Sequence, residues 1–302
     1  MEQSWKQAKA VFAAALGPPL AWLVVFFVAP MAIVWAYSFG HNAGLTQIAI
    51  TGTFQNYARA IEPLYLLIFL KSAWVAGLTT ALCLVLGFPV ALAITFASDK
   101  AKTWLLLLVM LPFWTNLLIR TYALIAVLRT EGYVNMSLEW LWKGGGTLAA
   151  LAGLKPFEPF QPLELLHNNF AVVLGLVYVH LPFMVLPLYS ALDRLDKSLL
   201  EASLDLGAGH LRTLFKVVVP LALPGIASGV LITFIPALGA YLTPDLLGGP
   251  DSQMIANVIE RQFKRANDWP FGAAMSFVLM YLTFIAIAVQ GLLAKRTPEG
   301  RG

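Results

Sequence analysis

Apolar residues in this chain come in long unbroken blocks, without the alternation of a half-buried strand or the three-to-four spacing of an amphipathic helix. No Asp, Glu, Lys or Arg occurs in 10–58, 72–98, 103–119, 168–192, 217–244 or 269–294. A helix needs about 20 residues to cross the roughly 30 Å hydrocarbon layer of a bilayer, and most of these blocks are long enough. They predict six membrane-crossing helices, at about 19–39, 70–97, 103–128, 169–191, 218–242 and 272–294. Strands are expected nowhere. The fold class is therefore all-α, a polytopic membrane protein.

Composition agrees with the pattern. Of 302 residues, 59% are hydrophobic and 12% charged, about half the charged share of a soluble domain, which excludes a water-soluble fold. An even number of spans puts both termini on one side, and the basic residues say which. Segments 1–18, 99–103, 193–216 and 295–302 carry eleven Lys and Arg, against seven in the much longer 40–70, 129–167 and 245–268. The first side is then cytoplasmic. Lys6 and Lys9 precede an apolar run too long for a signal-peptide core, so an uncleaved first helix is expected. The net charge of +4 comes without a basic run able to hold a phosphate backbone, so no nucleic-acid partner is expected. Cys83 is the single cysteine and reads as a small buried hydrophobe; neither a disulfide nor a metal site is expected.

Within the spans, Pro30, Pro89, Pro112, Pro182, Pro187, Pro224 and Pro236 each delete a backbone hydrogen bond and allow a kink, which suits a protein that moves. Trp5, Trp22, Trp104, Trp140, Trp142 and Trp269 lie near span ends and read as headgroup anchors. Arg120 falls mid-span with no charged neighbour on its helix; its cost there calls for helix-end carbonyls or a carboxylate, on this chain or another. His180 reads as a satisfied structural group. Buried constellations for catalysis, such as His-Glu-x-x-His or paired carboxylates, are missing from the spans, which disfavours a membrane-embedded enzyme.

The most informative stretch is cytoplasmic: Leu195-Asp196-Lys197-Ser198-Leu199-Leu200-Glu201-Ala202-Ser203-Leu204-Asp205-Leu206-Gly207-Ala208-Gly209. Leu195, Leu199, Ala202, Ser203 and Leu206 recur at helical spacing, Asp196 is a candidate N-cap, and Gly207 or Gly209 supplies a stop. A short amphipathic helix is expected. The chain then runs through Arg212 and Lys216 to Val217-Val218-Val219-Pro220, where the next span begins.

Glu201-Ala202-Ser203, Gly207 and the closing Val217–Pro220 are spaced as in the Glu-Ala-Ala, Gly, Ile-x-Leu-Pro signature of the inner-membrane permease subunits of binding-protein-dependent ABC importers, and the chain resembles that family. Ser203 stands for the second Ala, and valines for Ile and Leu. The stretches Leu111–Tyr122, Leu181–Tyr189, Pro244–Pro250 and Asp268–Ala274 are similar to those of its polyamine (spermidine/putrescine) permeases. The resemblance covers about Pro19 to Leu293. It implies a type I importer permease fold, with a tail, first span and periplasmic loop at 1–66, the transport domain at 67–294 and a cytoplasmic tail at 295–302. It also implies a coupling helix at about 195–212, in which Glu201, Ala202, Ser203 and Gly207 seat in a cytoplasmic ATPase.

The implied partners are a second related permease, two copies of the ATPase, a periplasmic solute-binding protein and membrane lipid, in a bacterial inner membrane. This subunit would bind no cofactor, ATP and Mg residing on the ATPase. Indeed Gly144-Gly145-Gly146 lacks the lysine of a phosphate-binding loop. A polyamine pathway should offer carboxylates or aromatic faces to a multivalent cation. The candidates are Trp114, Tyr122, Tyr178 and Tyr241, with Asp245 and Glu260 near the outer mouth.

Overall fold

The structure is a computed structural model that describes residues 9–44, 47–151 and 158–296. Trp5, Lys6, Lys155, Arg301 and most of the expected tail lie outside the described residues. Helix α1 (Lys9–Leu23) passes through a π turn, Val24–Val28, into α2 (Ala29–Tyr37). A two-stranded antiparallel ribbon, β1 (Gly40–Asn42) with β2 (Ile48–Ile50), and α3 (Gln55–Ala60) lead to α4 (Pro63–Thr95). Helix α5 (Asp99–Met110) ends in a 3-10 turn, Leu111–Trp114, before α6 (Leu117–Leu128) and α7 (Tyr133–Leu151). After α8 (Asn169–Leu192) come α9 (Lys197–Asp205), α10 (His210–Thr213), a second π turn at Leu214–Val218 and α11 (Val219–Leu221). The chain closes with α12 (Leu223–Leu238), α13 (Leu242–Leu247), α14 (Ile255–Lys264) and α15 (Trp269–Arg296).

Four of these stretches are long and apolar enough to cross a membrane unbroken: Phe12–Tyr37, Pro63–Thr95, Asn169–Leu192 and Trp269–Ala288. The third and fifth expected spans are instead bent pairs. Asp99–Trp114 meets Leu117–Leu148 at 94°, and His210–Leu221 meets Leu223–Leu238 at 68°, so the described residues hold six spans when each pair counts as one. Two further expectations are corrected. The β1–β2 ribbon, paired from Gly40↔Ile50 to Asn42↔Ile48, shows that strands do occur; three residues per strand are too few to alternate visibly. The loop expected at 129–167 contains the 19-residue α7.

Both π turns stand just ahead of a proline, Pro30 and Pro220. A proline ring clashes with the carbonyl four residues back, and widening the preceding turn relieves it while keeping the backbone bonded, as hydrocarbon demands. The 94° bend is built differently. Thr115 is extended at ψ 144°, its hydroxyl donates to the Pro112 carbonyl at 2.7 Å, and the Asn116 side chain caps α6 by accepting from the Leu118 amide at 2.8 Å.

The chain divides into two compact units, one of residues up to Leu66 with Ile259–Ala288, the other of Leu67–Val258 with the chain from Val289. In the first, the Arg59 guanidinium bonds Asp268 at 2.8 Å and lies 3.9 Å from the centre of the Phe271 ring. Asn56 donates to the carbonyls of Ser38 and Gly40, fixing the ribbon's entry.

In the second unit, α8 is the axis. Met184, Val185, Leu188 and Leu192 are buried along it, with Cys83 and Ile94 of α4 and Val218 in the same core, and Leu176 packs in a second cluster with Val75 and Met254. Lipid tails are as apolar as leucine, so these helices are held by close fit more than by transfer out of water. Closeness is greatest between α8 and α12. A Cβ added at Gly225 would lie 2.9 Å from the Pro187 carbonyl oxygen and closer still to the Ala191 side chain.

Gly225→Val should therefore push α12 off α8 and cost about 1–3 kcal/mol, the usual penalty for overpacking. Gly77→Ala, where nothing lies within 4 Å of the new Cβ, should be neutral. Thermal unfolding midpoints in detergent check the pair: a fall for the first variant only is expected.

Candidate functional site

The segment from Asp196 to Thr213 is shaped at both ends by its own sequence. Asp196 precedes α9 and its Oδ1 accepts from the Ser198 amide at 3.0 Å, which holds its carboxyl below the usual carboxylate range. At the other end Gly207 has φ +79°, in the left-handed region. The Gly207 amide then donates to the Leu204 carbonyl and the Ala208 amide to Ser203, the paired bonds that close a helix on glycine. Gly209, at φ −70°, only begins α10.

Glu201 and Ala202 are exposed on α9, and Ser203 is half-buried with its hydroxyl 2.9 Å from that of Thr213. The four motif residues thus lie on one capped helix and its stop. Leu195, Leu200 and Leu214 root this segment in the core formed by Ile94, Leu188, Leu192 and Val218. Of the residues at helical spacing, Leu199 is exposed and Leu206, at 89%, projects fully with Leu211. An apolar groove of about 470 Å³ runs between Leu92 and Ala93 of α4, with Phe96 just beyond its end, and Leu200, Leu204 and Leu211. The Lys102 ammonium, 2.6 Å from Asp193, ties the end of α8 to α5 and depresses the Asp193 carboxyl.

Among the aromatics singled out for a solute pathway, Trp114 ends the 3-10 turn at the 94° bend and is 79% exposed. Tyr122 on α6, Tyr178 on α8 and Tyr241 at the start of α13 are also exposed, and no two of the four stack on one another. Asp245 is exposed on α13. Glu260 belongs to the other unit and pairs with Lys264 at 2.9 Å.

Arg120 is 9% exposed, and its Nε and Nη1 lack hydrogen-bond partners among the described residues, which leaves the expected carbonyls or carboxylate to another chain. His180 Nδ1 is 2.8 Å from the Leu176 carbonyl oxygen, one turn back on α8. Buried Thr79 and Thr233 also have hydroxyls without partners.

Sequence reasoning passed over several polar groups that shape this unit. Ser72 accepts from the Ile255 amide at 2.7 Å, and Asn257 donates to the Tyr241 carbonyl at 2.8 Å while accepting from the Met254 amide. Ser72 was visible as a hydroxyl beside an apolar block, the environment in which side chains replace missing backbone partners. Among the described residues, no group of three or more His, Cys, Asp or Glu could hold a metal ion.

Residues 8–298 match the family described as "Binding-protein-dependent transport system inner membrane component". The spermidine/putrescine transport system permease protein PotB of Salmonella typhimurium strain LT2 is 41% identical over 260 residues, 86% of this chain and 85% of that one. PotB of Escherichia coli K12 is 40% identical over 270 residues, 89% of this chain and 93% of that one. Among solved structures, a chain of a bacterial ABC transporter involved in the import of the acidic polysaccharide alginate superposes with a TM-score of 0.71 over 98% of this chain and 99% of that chain, at 16% identity. That last likeness concerns the fold alone. With a family match across nearly its whole length and relatives at 40–41% identity, the chain belongs to the inner-membrane components of binding-protein-dependent transport systems.

Proposed function

We propose that this chain is one of two related permease subunits of an ATP-driven importer of polyamines, spermidine and putrescine, working by alternating access. The observation that carries the reading is α9, capped by Asp196, ended by Gly207 and rooted through Leu195 and Leu200 in the core of α8. A helix so attached passes a push on its exposed Glu201 side to the spanning helices. The cargo is read from the PotB relatives at 40–41% identity.

The chain is a transport subunit and not itself an enzyme. ATP and Mg belong to a pair of cytoplasmic ATPase subunits that grip Glu201, Ala202, Ser203 and Gly207. A partner can drive a conformational change only by binding one state better than the other, and closure of the ATPase dimer around α9 supplies that difference. A periplasmic binding protein delivers the solute. Both termini are cytoplasmic, and residues 67–294 form the transport domain, with 1–66 carrying the first span.

Trp114, Tyr122, Tyr178 and Tyr241 offer aromatic faces to the cation, with Asp245 and Glu260 toward the outer mouth. A second reading, the same machine for another small organic solute, is favoured by Arg120, whose charge opposes a polycation.

Two outcomes follow. Uptake of labelled spermidine by membranes holding the assembled transporter should be competed by putrescine and require ATP; failure of both polyamines to compete would assign another solute. A β-branched residue held at the φ of Gly207 costs about 1–3 kcal/mol, so Gly207→Val should unwind the end of α9. Solute-stimulated ATP hydrolysis should then fall by about tenfold or more, with insertion intact. Gly209→Ala, with an ordinary φ and nothing within 4 Å, should keep wild-type hydrolysis. Equal activity of the two variants would refute the role given to α9.

A further inference from the structure

Exposed positions on the spanning helices are of two chemical kinds. Between residues 67 and 90, α4 exposes Leu67, Leu70, Trp74, Leu82, Val85 and Val90, and every other exposed position in that stretch is apolar as well. The described side chains from Phe12 to Ile33 are all exposed and carry no polar or charged group beyond the Trp22 indole. Such faces suit lipid.

The cleft between α8 and α12 differs. It has a volume of about 530 Å³, and its walls include Ser190 and Arg194 from the α8 side and Pro224, Gly225 and Ser228 from α12. Ser190 lies in the last turn of α8 and Arg194 in the turn just beyond it, while Pro224 and Ser228 are four residues apart on α12 and share a helix face. The Ser228 hydroxyl shares its one proton between the carbonyls of Pro224 and Gly225. The Ser190 hydroxyl and the Arg194 guanidinium are exposed and have no partner among the described residues. Arg194 alone could reach a headgroup by extending its stem. Ser190 and Ser228 have no such stem; Ser190 is unpartnered among the described residues and Ser228 is satisfied only by its own helix, so this face is more polar than those of α4 and the first span, and polar faces within a membrane line protein or water-filled cavities.

We infer that the α8–α12 cleft is a wall of the water-filled cytoplasmic half of the solute pathway, with Arg194 at its exit. The inference rests on the proposed function for its sidedness and its cargo. A guanidinium at the exit lowers the local affinity for a cation, and a site from which solute must leave works best when binding there is weak. The outer candidate Asp245, in the same unit, carries the opposite charge, so the pathway would fall from attraction to repulsion along the direction of import.

Thiol accessibility tests this directly, because the single native cysteine, Cys83, is fully buried and silent. Ser190→Cys, Ser228→Cys and the lipid-facing control Val85→Cys are each placed in the assembled transporter, in inside-out membrane vesicles. A charged methanethiosulfonate reagent should modify both cleft cysteines about tenfold or more faster than the control, since the reactive thiolate forms in water and is suppressed in apolar surroundings. Ile232→Cys, on the same wall, replaces either variant that fails to assemble. Rates equal to the control, reaction with a lipophilic maleimide alone, or reaction only from the opposite side of the membrane would overturn the inference. Uptake by right-side-out vesicles carrying the same variants, loaded with ATP and supplied with the binding protein, reads the function separately. Spermidine import with unreactive cleft cysteines refutes the cleft alone; reactive cysteines in a transporter that is competed by no polyamine refute the cargo alone.

Discussion

A backbone in hydrocarbon must satisfy its own hydrogen bonds, and almost every local feature of this chain is a way of meeting that demand. It turns the uncharged blocks into helices longer than any soluble counterpart needs. It also dictates how those helices may be interrupted. Ahead of Pro30 and Pro220 the turn widens to π geometry; at the 94° bend Thr115 and Asn116 supply the missing partners from their side chains. At the far end of α8, Ser72 and Asn257 do the same for the short elements around Tyr241 and Met254. Breaks are therefore placed where a hydroxyl or amide can stand in for a carbonyl or an N–H.

Against that background the coupling role proposed for α9 is mechanical. Its cap and its stop fix the helix as a rigid piece, and the Leu195–Leu200 root and the Lys102–Asp193 pair join it to the ends of α8 and α5. Close contact between α8 and α12 at Gly225 then makes two spanning helices respond together. Packed interiors switch between discrete arrangements more readily than they deform, which is the behaviour alternating access requires. Arg120 fits the same view: a guanidinium with two unpartnered nitrogens is a costly feature of one packing, and another packing or another subunit has to offset it.

Much of this was legible in the amino-acid pattern. Block length announced helices and their number, because hydropathy reports a constraint that has few structural solutions. Asp196 and Gly207 announced a helix start and stop because each satisfies orphan backbone groups by a local mechanism. What escaped depends on distant parts of the chain. The ribbon at Gly40–Ile50 is set by Asn56 reaching back to two carbonyls, and α7 lies in a segment whose Lys, Glu and three glycines give a weak helical signal. The outward turn of Leu206 follows from where α9 meets the core, which periodicity alone does not locate. The chemical asymmetry of the α8–α12 cleft, likewise, needed exposure to be known position by position.

The central claim is that this chain moves solute only when α9 is driven from outside by an ATPase. Reconstituting the purified chain in liposomes, alone and together with its second permease, ATPase and binding protein, measures this with labelled spermidine. The account predicts no accumulation by the chain alone and ATP-dependent accumulation by the full assembly. Spermidine accumulation by the isolated chain, or by the assembly without ATP hydrolysis, would contradict it.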